Sequence, residues 1–164
     1  MAGKGIDLGN LPIYVSKDNY LLFFNQQEKQ ETTKNRAVLK TDYQRFIWAF
    51  VLGIRLGTRI PLGKSRESSF KWQYIPQETR SLIIGLTLQE MYGDNPEKIK
   101  EDVNNSNGNN TFNENLRQAI EEYANAGFSV IRQRALIDPT YIENFEAVVH
   151  DILYDEPPFS AETT

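Results

Sequence analysis

The feature that most constrains this chain is one helical segment with almost no polar face. Thr41-Asp42-Tyr43-Gln44 has the form of a capping box, in which the Thr hydroxyl and the Gln side chain serve backbone amides that a helix start leaves unpaired. Phe46, Ile47, Trp48, Ala49, Phe50, Val51, Leu52 and Ile54 then follow nearly without interruption, up to a stop at Gly57. The pattern predicts a helix from Asp42 to about Leu56. Such a helix has to be surrounded, either by its own domain or by a partner chain. Its apolar run is far shorter than the roughly 20 residues that cross a bilayer. It is read as a central core helix.

The rest of the chain can supply the surroundings. At 164 residues, with 40% hydrophobic and 12% aromatic, the length suits one domain with a substantial core. The absence of cysteine excludes disulfides, thiolate metal sites, cysteine nucleophiles and iron–sulfur clusters. A single histidine argues against His-rich metal centres and most acid/base relays. Met1 to Asp7 lacks the apolar stretch of a signal peptide, so a cytoplasmic protein with no membrane partner is expected.

Local signals predict the order of elements. Residues 1–11 read as a flexible N-terminus, and Pro12-Ile13-Tyr14-Val15 as a short strand. Ser16 is placed to cap a helix over Lys17–Gln26, and residues 27–40 read as a flexible basic arm. Gly57 to Ser69 reads as a basic loop. Pro76 opens a helix to Tyr92 that Gly93 stops, with Leu82, Ile83, Leu86 and Met91 facing inward. Asn95-Pro96 opens a short acidic helix to about Val103, before a low-complexity loop at 104–110. A second capping box, Thr111 to Glu114, starts a helix carrying Leu116, Ala119, Ile120, Tyr123, Val130 and Ile131 at helical spacing. Asp138-Pro139 opens a last helix with Phe145, Val148, Val149 and Ile152 inward, and 155–164 reads as a disordered acidic tail. The expected fold is mainly α: a single compact multi-helix domain over 12–154 around the central apolar helix, with a short N-terminal strand.

Catalytic patterns fare poorly. Gly63-Lys64-Ser65 resembles the end of a phosphate-binding loop, but the pattern needs a glycine where Thr58 stands and should follow a strand rather than a helix. No Asp-x-Lys or Glu-x-Lys element occurs to support metal-dependent nuclease chemistry. His150 beside Asp151 reads as structural or solvated, and no serine shows a His/Asp pairing. No catalytic residue, metal ligand or cofactor is assigned.

Charge is the stronger signal. Residues 1–75 hold 12 Lys+Arg against 6 Asp+Glu, whereas 76–164 hold 6 against 16. Lys34, Arg36, Lys40, Arg55, Arg59, Lys64, Arg66 and Lys71, interleaved with Phe70, Trp72 and Tyr74, are therefore candidates for sequence-nonspecific binding to a DNA or RNA backbone. Two solvated faces of opposite sign are the plainer reading. Tyr43, Trp48 and Phe50 are candidates for an apolar contact with a partner or a second copy. Opposite charge on the two halves favours a homo-oligomer, most simply a two-fold dimer.

Three segments carry a family resemblance. Ile13-Tyr14-Val15-Ser16-Lys17-Asp18, the run Lys40-Thr41-Asp42-Tyr43 through Leu52-Gly53, Gly57 and Arg59-Ile60-Pro61-Leu62, and Glu121-Glu122-Tyr123-Ala124-Asn125-Ala126-Gly127-Phe128 are similar to small accessory proteins of DNA phosphorothioation (Dnd) systems. Ala126 departs from the Gly-Gly that ends the family's Glu-Glu-Tyr-Ala-Asn element. The resemblance implies a non-enzymatic adaptor or regulator in bacterial anti-phage defence, bound to a larger nuclease or ATPase. It carries no catalytic residues across. A nuclease-type enzyme assembled only at an oligomer interface is the remaining alternative. Physically, Gly57 reads as a left-handed helix cap and Gly127 as a point of close helix packing.

Overall fold

The computed structural model describes residues 6, 8–24, 42–106, 110–140, 150 and 154. The elements run β1 (Pro12–Ser16), α1 (Lys17–Phe23), α2 (Asp42–Leu56), β2 (Arg66–Lys71), a 3-10 turn (Trp72–Tyr74), α3 (Gln77–Tyr92), α4 (Pro96–Asn105) and α5 (Asn110–Ile137). The fold is mainly helical, as the sequence predicts. Capping explains most boundaries. The Ser16 side chain accepts from the Asn19 amide at 3.4 Å to start α1. Asn95 does the same for the Lys98 amide at 3.2 Å, with Pro96 in the first turn of α4. Gly57 and Gly93 close α2 and α3 at φ of 60° and 59°, the left-handed region that a side chain would disfavour.

The centre of the molecule is the crossing of α2 and α5, where backbone meets backbone. A Cβ placed on Gly53 would lie 1.8 Å from the Tyr123 carbonyl oxygen, and one on Gly127 would lie 1.8 Å from that of Ala49. The two glycines are thus reciprocal. Each sits four residues from the position its counterpart touches, so the two helices nest along one ridge. Phe46, Phe50 and Leu52 are fully buried around this crossing, and Phe50 meets the Tyr123 ring edge-on at 6.4 Å. Phe46 packs edge-on against Phe70 of β2 at 5.3 Å, and Phe23 of α1 stacks on Phe128 at 5.0 Å. One contiguous apolar core joins every described element except α4, whose Ile99 and Val103 pack against it from outside.

Four sequence-based expectations need correction. Phe50 has 0% exposure, so it belongs to the core and offers nothing to a partner; Tyr43 and Trp48 are half-buried against that core. The segment read as a basic loop continues into β2, which pairs antiparallel with β1. On α3, Leu82 is 60% exposed, while Ile83, Ile84 and Thr87 face inward; the Thr87 hydroxyl donates to the Ile83 carbonyl at 2.8 Å and so enters the core satisfied. Thr111 lies inside α5, which begins one residue earlier. Lys34, Arg36, Lys40, Thr41, the arm 27–40, the inward residues of the last predicted helix and the tail 155–164 lie outside the described residues. Asp138 nonetheless accepts from the Thr140 amide and hydroxyl at 3.0 and 2.7 Å, and these bonds hold its carboxyl below its ordinary range.

Candidate functional site

The most polar place in the interior lies on the side of α5 turned away from its apolar ridge. Residues 121–128 are all buried, although three of them are Glu121, Glu122 and Asn125. Buried carboxylates and amides are costly unless paired, and each of these has an identifiable partner. Glu122 receives Arg59 through Nε at 2.9 Å and Nη2 at 2.8 Å, and Gln118 Nε2 at 2.8 Å. Asn125 Nδ2 donates to the carbonyls of Ile60 and Pro61 at 3.1 and 3.3 Å, and its Oδ1 accepts from Asn19 at 2.7 Å. The Ile60 amide donates to the Glu122 carbonyl at 3.1 Å. One turn of α5 therefore fixes the connection 57–65 between α2 and β2.

Glu121 fixes β1. The β1–β2 register slips between Ile13, opposite Phe70, and Tyr14, opposite Ser68, which leaves Ser69 as the extra residue of a bulge. Beside that irregularity the Ser69 hydroxyl donates to the Ile13 carbonyl at 3.2 Å, and the Tyr14 amide donates to Glu121 Oε1 at 2.9 Å. Beyond the strands, Lys17 N donates to the Ser65 carbonyl at 3.0 Å and Trp72 N to that of Leu11 at 3.0 Å, extending the ladder at both ends. Burial pushes the Glu121 carboxyl up from its ordinary 4.5 to about 7, against the opposing pull of the Tyr14 amide and of Arg117 and Arg66. Burial likewise raises the Tyr123 hydroxyl. Between α3 and α4 the Tyr92 hydroxyl, donating to Asp102 at 2.8 Å, is pushed up to about 12 by burial and by that carboxylate.

The outer side of this seam is cationic. Arg66 lies 4.7 Å from the centre of the Tyr14 ring and Arg117 lies 5.5 Å from it. Arg117 is 3.7 Å from Glu121, beyond hydrogen-bonding reach, and its Nε is buried without a hydrogen-bond acceptor. Of the predicted nucleic-acid residues, Arg59 is committed to Glu122 and Tyr123, whereas Arg55, Lys64, Arg66 and Lys71 are exposed and make no ion pair among the described residues. Tyr14 and Arg117 lie with Arg66, and Lys17 lies against Ser65 beside Lys64; none of these three is among the predicted residues. Gly63-Lys64-Ser65 leads into a strand, not a helix, so it does not build a phosphate-binding loop of the nucleoside-triphosphatase kind. His150 is exposed, with its ring 4.4 Å from that of Tyr154.

Among the described residues no cluster of three or more His, Asp or Glu side chains could hold a metal ion, and no helix is long and apolar enough to cross a membrane. Compared with known protein families, with curated proteins and with solved structures, the chain matches none. The likeness to Dnd-associated accessory proteins therefore rests on the quoted segments alone.

Proposed function

We propose that this chain is a non-enzymatic accessory protein, an adaptor or regulator in a DNA-modification-linked anti-phage system, acting through contacts with a larger nuclease or ATPase. One observation carries the reading. The residues that most resemble a catalytic constellation, Glu121, Glu122, Asn125 and Arg59, are all engaged in holding 57–65 and β1 in place. The Glu-Glu-Tyr-Ala-Asn element of the resemblance thus coincides with an architectural device, and what it presents outward is a fixed surface. On that surface Leu56, Ile60 and Pro61 are exposed beside Arg55 and Lys64, a mixture suited to a protein contact.

The test is reconstitution with the protein's native operon. The tagged chain should co-purify in defined stoichiometry with a nuclease or ATPase subunit. Ile60→Asp should release that subunit while leaving the helical circular dichroism unchanged. Purified chain that alone cleaves DNA or hydrolyses ATP with Mg²⁺ or Mn²⁺ would contradict the reading.

A further inference from the structure

Tyr14 is the point where three elements meet on the outside of the sheet. It is half-buried, stands opposite the exposed Ser68 of β2, and has a guanidinium from β2 and another from α5 near its ring. Two cations held beside one phenol ring repel each other, and a buried carboxylate would be the ordinary counter-charge. Glu121 is that carboxylate, yet it is turned to the Tyr14 amide and stays 3.7 Å from Arg117. Burial also favours its neutral form. Arg66 has no ion pair among the described residues, and the Arg117 Nε has no acceptor. Lys17 and Lys64 leave the backbone beside this group, joined through the Lys17 amide and the Ser65 carbonyl. The nearby acids are Asp18, 3.8 Å from Arg132, and the exposed Glu67. Positive charge is therefore in excess here, and it is carried in part by guanidinium groups, whose planar donors suit a tetrahedral oxyanion.

We propose that Arg66 and Arg117, set beside Tyr14 and flanked by Lys17 and Lys64, form a site for a phosphate group. The site stands apart from the adaptor reading and needs no partner protein. A phosphate could come from a nucleic-acid backbone or from free phosphate and its small esters, and the two sources are separable. Nitrogen-15 NMR of the full chain, titrated with inorganic phosphate at low chloride, should shift the Tyr14 amide and the Arg117 Nε–H. Shifts spread over surface lysines, with those two signals still, would overturn the site. Fluorescence anisotropy with labelled single-stranded and duplex DNA then tests the backbone source. Binding should weaken with salt along a logarithmic slope of about −2 to −3, as expected for a few phosphates neutralised. Arg66→Glu should weaken it about tenfold and reduce the slope by about 1, whereas Lys71→Glu, at the far end of the sheet, should change it less than about twofold. Phosphate shifts without DNA binding assign the site to free phosphate or its esters. DNA binding that ignores Arg66→Glu would overturn it. Because Arg117 also packs on Tyr14, Arg117→Lys is the companion variant, expected to keep the fold and lose the localised phosphate shift.

Discussion

The buried stretch 121–128 of α5 is enclosed on two sides by opposite means. Toward α2 the contact is ring to ring, Phe50 on Tyr123, and backbone to backbone, so close that a single methyl group at Gly53 or Gly127 would strike a carbonyl. Toward the sheet and 57–65 the enclosure is polar, made by Glu121, Glu122 and Asn125 reaching backbone and arginine partners. The apolar side has no tolerance for added volume but is indifferent to pH. The polar side has room to adjust and is sensitive to proton and partner. A helix can thus be buried all round when one face is shaped by the absence of side chains and the other by satisfied ones.

The largest expected effect is on the apolar side. Gly127→Ala should cost about 3 kcal/mol or more in urea unfolding, since backbone must move to admit the methyl group. Gly57→Ala, where nothing lies within 4 Å and only the φ of 60° is at stake, should cost about 1–2 kcal/mol. Equal losses at the two glycines would break the contrast.

Next comes the proton on the polar side. Because the Glu121 carboxyl rises from 4.5 to about 7, the native chain keeps a proton that the unfolded chain has released between those values. Stability from this group is complete below about pH 4.5 and is lost as pH rises through about 7. Glu121→Gln keeps an acceptor for the Tyr14 amide without the charge. It should match the wild type near pH 4 and exceed it above pH 8 by about 3 kcal/mol, measured by thermal or urea unfolding across pH. A variant less stable at high pH would show that the ionised carboxylate is favoured by Arg117 and Arg66.

Smaller effects belong to the fixings of 57–65. Asn125→Ala removes donors to two carbonyls and should cost about 1–2 kcal/mol. Glu122→Ala should cost a similar amount, because Arg59 is 38% exposed and can turn to water. Leu82→Ser, on the outer face of α3, should lie within about 0.5 kcal/mol of the wild type.

These differences also explain what the sequence could disclose. The span of α2, the caps at Ser16 and Asn95 and the stops at Gly57 and Gly93 are local features, each set by residues within one turn, and each is found where the pattern predicts it. Arg66–Lys71 has one buried side chain and no β-branched residue, so its strand character comes from pairing with β1, some fifty positions away. Leu82 reads as inward because hydrophobicity alone does not fix rotational phase when Thr87 can enter the core by bonding to its own helix. The polar seam was hidden for the same reason. Glu121 and Glu122 read as part of a solvated acidic face until partners 107 and 63 residues distant are brought to them. The glycine at position 127 was legible as a packing point, but its reciprocity with Gly53 was not.

In this fold the polar residues of α5 hold the chain that connects α2 to β2. Amide hydrogen exchange tests it most directly, because the Ile60 amide is bonded to the Glu122 carbonyl and reports that attachment alone. In a chain carrying Glu122→Ala and Asn125→Ala together, Ile60 should exchange at least about tenfold faster, while the amides of Phe50 and Leu52 in α2 keep their protection. Unchanged protection at Ile60, with both side chains removed, would contradict it.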